Sequence, residues 1–273
     1  MVLPAAVTPF NERGRIDDLS VAKLLAHFES TGCDGVVLAG TNGEGPSLSA
    51  VEKRDLLEIA QSTGGPLKLV LGTNSNSLDE NIWLSKQAAR CGAWAMLVMP
   101  PSYFREASRK GIVAWFRALL DASPTPIIAY HFPQRTGVPL PPDLMAELAD
   151  HPNLLGLKDS SGESNHTAYR EVLPTHRLFV GDERRLIDAL DAGWTGTISG
   201  VANCVSRDLV AILRDWPSDR ESAETKFALL LPEIERMRSL QQPMGHKRHL
   251  QGLGIIARSD VRLPLMQENG AEG

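Results

Sequence analysis

Cysteine is scarce. Only Cys33, Cys91 and Cys204 occur in 273 residues. They form no C-x-x-C pair and no Cys/His cluster at zinc spacing, so neither a disulfide framework nor a structural zinc site organises the chain. An odd count in a protein that is not small fits a reducing compartment. The seven histidines include no H-E-x-x-H, and nothing in the sequence points to a metal or a cofactor. Positive charge is not in excess either. The formal net charge is −5 and the pI about 5.8, without the basic footprint of a nucleic-acid or anionic-membrane binder. The densest basic runs, Arg184-Arg185 and His246-Lys247-Arg248, read as solvated helix faces. No apolar run reaches the length of about 18 residues that a membrane span needs. Met1–Phe10 lacks the basic and apolar regions of a leader. The expectation is a soluble cytoplasmic protein.

What the chain does have is a repeating pattern. Short β-rich apolar runs alternate with longer stretches of helical spacing. The runs are Val2–Thr8, Gly35–Ala39, Leu67–Gly72, Ala93–Met99, Pro126–Tyr130, Leu154–Gly162, Leu178–Gly181 and Gly196–Ser199. Between them lie helix signals. Asp17-Asp18 cap a helix carrying Leu19, Leu24, Leu25 and Phe28, and Ser49 with Glu52 forms a capping box. Leu78–Arg90 is a third helix, and Pro141-Pro142 opens a later one. Strands that are hydrophobic throughout, each followed by a helix, argue a parallel sheet. Eight such units argue an α/β fold of the (β/α)8 TIM-barrel type. A doubly wound sheet would carry G-x-G-x-x-G after an early strand, and Gly40–Gly45 lacks that spacing. Beyond the barrel, helical pattern continues at Leu209–Leu213, Ser222–Leu240 and His246–Ile256. The expected division is a barrel over 1–205, helix eight with a C-terminal helical extension over 206–265, and a disordered tail over 266–273.

One residue breaks the pattern. Leu154-Leu155-Gly156-Leu157 runs into Lys158 and then breaks at once into a polar loop, Asp159-Ser160-Ser161-Gly162. An ammonium at the end of a buried strand costs several kcal/mol unless paired or deprotonated. A neutral lysine there is a nucleophile able to form a Schiff base with a carbonyl. The other reading is a stem lying along the strand with its head in water.

Barrel active sites gather at the C-terminal ends of the strands. Those ends carry Thr41 and Asn42 in a glycine-rich turn, Tyr103 after strand four, Tyr130 and Arg135 after strand five, and Lys158. The turn can cradle a carboxylate or phosphate with its N–H groups. A tyrosine can pass the proton that expels water from a carbinolamine. An arginine can grip a second carboxylate with two hydrogen bonds.

These segments resemble the Schiff-base-forming, pyruvate-dependent aldolases of the dihydrodipicolinate synthase and N-acetylneuraminate lyase family. The likeness runs from Val7-Thr8-Pro9-Phe10 to Arg262-Leu263-Pro264-Leu265. Gly40-Thr41-Asn42-Gly43-Glu44 is similar to the family's pyruvate-carboxylate loop, and Pro101-Ser102-Tyr103 to its P-x-Y segment. Tyr130–Gly137 is similar to Y-N-x-P-x-R-T-G, and Gly156-Leu157-Lys158-Asp159 to the segment with the Schiff-base lysine. Gly181-Asp182 and Ile198-Ser199-Gly200 resemble the strand ends lining the pyruvate pocket.

The resemblance implies a barrel with C-terminal helices, assembled as a homodimer or homotetramer. It implies Lys158 as nucleophile and Tyr130 as proton shuttle, with Thr41 and a neighbouring subunit's Tyr103 completing the relay. Asn42, Gly43, Arg135, Gly181 and Ile198 would bind substrate. The substrates would be pyruvate or a longer 2-oxo acid, with an aldehyde. Arg135 favours a synthase condensing pyruvate with aspartate semialdehyde. Asn42 and Lys158-Asp159-Ser160-Ser161-Gly162 look more like a 4-hydroxy-2-oxoglutarate or 2-keto-3-deoxy sugar acid aldolase. A non-catalytic 2-oxo-acid binder on the same barrel is the reading from another class. Where lysine-inhibited synthases bind their effector, Asn76 and Glu80 match but Ser102, Ala50 and Lys53 do not. That points away from feedback by lysine.

Overall fold

Each apolar run becomes a parallel strand because both of its faces are covered. In the computed structural model, which describes residues 1–266, the strands are β1 (Val2–Pro4), β2 (Gly35–Leu38), β3 (Lys68–Thr73), β4 (Ala95–Val98), β5 (Ile127–His131), β6 (Leu154–Asp159), β7 (Arg177–Val180) and β8 (Gly196–Ser199). They pair in parallel in the order β1-β8-β7-β6-β5-β4-β3-β2. The circle closes between β1 and β2, where Ala5 bridges Val37 and the Ala6 N–H donates to the Val37 carbonyl at 3.0 Å. The sequence's (β/α)8 barrel is thus the observed fold.

Alternation along each strand divides the core in two. Leu3, Val37, Val70, Leu97, Ile128, Phe179 and Ile198 fill the barrel's interior. Their neighbours Val36, Leu71, Met96, Ala129, Leu157 and Val180 face the helices.

The helices are α1 (Asp18–Ser30), α2 (Ala50–Thr63), α3 (Leu78–Arg90), α4 (Arg109–Ala122), α5 (Pro133–Thr136), α6 (Pro142–Ala146), α7 (His166–Val172) and α8 (Leu186–Asp191). The capping box of Ser49 and Glu52 is formed, and Asp17 caps α1. Leu19, expected on the buried face of α1, is 77% exposed. Val21, Leu24, Leu25 and Phe28 are buried instead, so the apolar stripe begins two residues later.

The last three helices are α9 (Ala202–Asp215), α10 (Arg220–Ser239) and α11 (Met244–Gly252). Helix α9 begins at Ala202, ahead of position 206, and its backbone departs from helical geometry at Val205. The expected disordered tail lies, from position 267 on, outside the described residues.

The run His246-Lys247-Arg248 needs correction. His246 and Lys247 are wholly buried, not on a solvated face. Met244, Lys247 and Leu250 recur at helical spacing, so one packed face of α11 carries the lysine inward with them. Among the described residues no helix is long and apolar enough to cross a membrane.

Candidate active site

Lys158 stands at the inward position near the end of β6, in register with Tyr130 on β5 and Phe179 on β7. It is 5% exposed. Among the described residues its Nζ has no hydrogen-bond or ion-pair partner, and its close contact is the face of the Tyr130 ring, 4.1 Å from the centroid. Contrary to the reading of Asp159 as the start of a polar loop, the strand runs one residue further. Asp159 points outward, is buried, and accepts from the Ser161 N–H at 2.8 Å. It also faces His131 Nδ1 at 3.2 Å, and His131 shares that nitrogen with the Tyr169 hydroxyl at 2.9 Å. The residues flanking Tyr130 and Lys158 thus pin the two strand ends from behind.

A cavity of about 410 Å³ opens above the lysine. Thr41, Asn42, Tyr130, Arg135, Lys158, Gly181 and Gly200 all line it. Most of the strand-end residues singled out in the sequence therefore meet around one space. Thr41 and Tyr130 also border a water-sized void of about 30 Å³, with Thr73 and Asn74 beside them.

The Thr41–Asn42 turn is shaped by close approaches. Ala39 and Glu44, on either side of it, have left-handed φ of 53° and 54°. Gly45 is required because a Cβ there would lie 2.0 Å from the Ala39 carbonyl oxygen. Gly43 does not line the cavity. It sits beneath, where its carbonyl accepts from Thr8 Oγ1 at 2.6 Å. Gly181 lies against the lysine itself: a Cβ would come within 2.9 Å of Lys158 Cε and 2.0 Å of Ser160 Oγ.

Two more expected residues lie elsewhere. Ile198 belongs to the interior layer that contacts Tyr130, and Gly200 takes the rim position. Tyr103 is 77% exposed and stacks edge-on with the equally open Phe104, ring centroids 5.2 Å apart. Its loop is held by Asn76, whose Oδ1 accepts from the Ser102 and Tyr103 N–H groups at 2.7 and 2.9 Å.

Sequence reading missed the outer wall. Arg238 of α10 reaches the cavity together with Gln241 and Gln242. It donates to buried Glu183 at 2.6 Å, which also accepts from Ser199 Oγ at 2.6 Å. Burial acts to raise the Asp182 carboxyl, but hydrogen bonds from Arg184 and the charge of Arg238 outweigh it and hold it below the usual range. The acidic pair beside Gly181 was a signal in the sequence; its cationic partner, 56 positions away, was not. Among the described residues no three His, Cys, Asp or Glu side chains are grouped as a metal site would need.

The sequence profile of the dihydrodipicolinate synthetase family matches residues 1–272. The chain is 33% identical over 276 residues to 4-hydroxy-tetrahydrodipicolinate synthase from a Cyanothece species, covering 99% of this chain and 93% of that one. It is 32% identical over 278 residues to the protein of the same name from Listeria innocua, covering 100% and 94%. Its backbone is similar to the chloride-inhibited dihydrodipicolinate synthase from Acinetobacter baumannii complexed with pyruvate. There the TM-score is 0.90 and the identity 29%, over 97% of this chain and 92% of that chain.

Proposed function

The chain belongs to the dihydrodipicolinate synthetase family, and from that premise we propose that it is a lyase that forms a Schiff base between Lys158 and the carbonyl of pyruvate. The observation that carries the reading is the unpaired, buried amine of Lys158 beside Tyr130, at the floor of the 410 Å³ cavity.

The chemistry follows from the placement. The pyruvate carboxylate docks on the turn bearing Thr41 and Asn42, which sets its carbonyl carbon over the lysine. The Lys158 nitrogen adds to that carbon and gives a carbinolamine. Tyr130 delivers a proton to the leaving hydroxyl, water departs, and the iminium forms. Loss of a methyl proton gives the enamine, whose carbon attacks the aldehyde of the second substrate. Hydrolysis of the new iminium returns the amine. Thr41 hands protons from Tyr130 toward solvent, a role supported by the water-sized void that both residues border. Tyr103 of a neighbouring copy completes the relay, so the active form is a homodimer or homotetramer. The aromatic pair exposed at Tyr103 and Phe104 supports such a contact.

Arg135, exposed at the rim, holds the carboxylate of the aldehyde. The relatives are named synthases, which favours the condensing direction over retro-aldol cleavage, and the family resemblance makes aspartate semialdehyde that aldehyde. The relay set of Thr41, Tyr103, Tyr130 and Lys158 is complete, which favours an enzyme over a binding protein.

The test is reductive trapping. Pyruvate and borohydride should add the mass of a reduced pyruvate adduct to the wild-type protein and none to Lys158→Ala. No adduct on the wild type, or one that survives Lys158→Ala, removes the proposal.

A further inference from the structure

Behind the cavity turn lies a charged cluster that plays no part in the chemistry above. Glu44, directly after Gly43, is buried with a left-handed backbone, a conformation that costs a bulky residue about 1–2 kcal/mol. Its carboxylate is paired with the ammonium of Lys247, and both side chains are 0% exposed. The second carboxylate oxygen accepts from the Arg262 N–H at 2.7 Å. Lys247 donates as well to the Asp260 carbonyl at 2.6 Å. The Phe10 ring lies under both cations, 4.2 Å from Lys247 Nζ and 4.5 Å from Arg262 Cζ. The pair joins residues 203 positions apart.

A buried ion pair is weak ground for net stability, because desolvation offsets the attraction. What it supplies well is a fixed geometry, since either charge left alone would be strongly unfavourable. Here it fixes a strained residue two positions after Asn42.

We propose that Glu44 and Lys247 are a positioning pair: Lys247, delivered by α11, holds the Thr41–Asn42 turn in the shape that binds the 2-oxo acid carboxylate. The proposal rests on the carboxylate role given to that turn above. Helix α11 is on this view part of the substrate site, acting through Glu44 without touching substrate.

The experiment compares Glu44→Gln, Lys247→Met, Lys247→Arg and the double variant Glu44→Gln/Lys247→Met. The double variant leaves no charge unpaired and keeps a hydrogen-bonding side chain at 44, so it is the one expected to fold if the singles do not. Wild-type trapping by pyruvate and borohydride is measured first, and its absence would fail the Schiff-base reading rather than this one. In the double variant the concentration of pyruvate giving half-maximal trapping should rise about ten- to a hundredfold, the loss expected when a charged hydrogen-bonding contact is impaired. Trapping at saturating pyruvate should still reach completion, and Lys247→Arg should recover part of the affinity. A lower melting temperature with unchanged half-maximal pyruvate overturns the proposal, because a purely structural pair behaves that way. Unchanged half-maximal pyruvate with slower turnover overturns it too.

Discussion

The Nζ atom of Lys158 lies 4.1 Å from the centre of the Tyr130 ring, the two residues being direct neighbours in the β5–β6 register. An amine-bearing side chain and a hydroxyl-bearing ring are therefore held together by the barrel's own hydrogen-bond ladder. No flexible loop has to bring them into place.

Removing only the hydroxyl tests the role of the ring. Tyr130→Phe keeps the packing under the lysine and deletes the proton donor. Turnover should fall by about a hundred- to ten-thousandfold, the usual worth of general acid–base assistance. The pyruvate adduct should still form, more slowly. Stopped-flow or quenched trapping against time distinguishes this from loss of the fold.

Gly181 has no room for a side chain. In Gly181→Ala the new methyl would meet Ser160 Oγ and Lys158 Cε at 2.0 and 2.9 Å. The amine must then shift by a sizeable fraction of an ångström, and a misplacement of about 1 Å costs roughly a hundredfold. The trapping rate should fall by that order while far-UV circular dichroism stays the same. A trapping rate equal to wild type would show that Lys158 has slack.

Arg135 should act on the second substrate alone. Arg135→Ala is expected to raise KM for a carboxylate-bearing aldehyde about ten- to a hundredfold. The pyruvate dependence of trapping should be unaffected. Arg238, on the same cavity, is committed to Glu183 and Asp182 and should not compensate. Equal KM values for the acid and its neutral analogue in the wild type would remove the carboxylate role.

Free lysine should not inhibit. Lys53 is buried with Nζ 3.5 Å from Asn74 Oδ1, and its charge faces Glu80. Burial pulls its proton affinity down and Glu80 pulls it back up. A lysine effector would bring a second ammonium to the same carboxylate. Initial rates with millimolar lysine should match those without it, and clear inhibition would refute the expectation.

His246 should make the fold acid-sensitive. Burial lowers its pKa from 6.5 to about 4, with Glu183 and a backbone hydrogen bond at Met237 pulling the other way. Below about pH 6.5 the unfolded chain takes up a proton that the folded one refuses. Stability therefore falls as pH drops from about 6.5 to 4, by up to about 3 kcal/mol, and is unaffected above that window. In urea melts across this range the stability of the wild type relative to His246→Leu should fall as pH drops. Parallel pH profiles would refute it.

The sequence by itself determined the barrel and pointed to the proposed chemistry. Both follow from local signals: apolar runs at strand length, capping residues, a lysine where an apolar run should continue, and strand-end motifs of fixed spacing. A parallel barrel converts order along the chain into order around a ring, so strand ends become one rim without further information. Tertiary structure decided what periodicity cannot carry. Lys247 reads as a helix-surface lysine until α11 packs and places it on Glu44, and Arg238 reads likewise until it meets Glu183. Leu19 looks like core and is solvent-facing. Asp159 looks like loop and closes the back of a strand. For Lys247, Arg238 and Asp159 the deciding contact is with a residue distant in the chain, and charge pairing over such distances leaves no pattern in the local sequence.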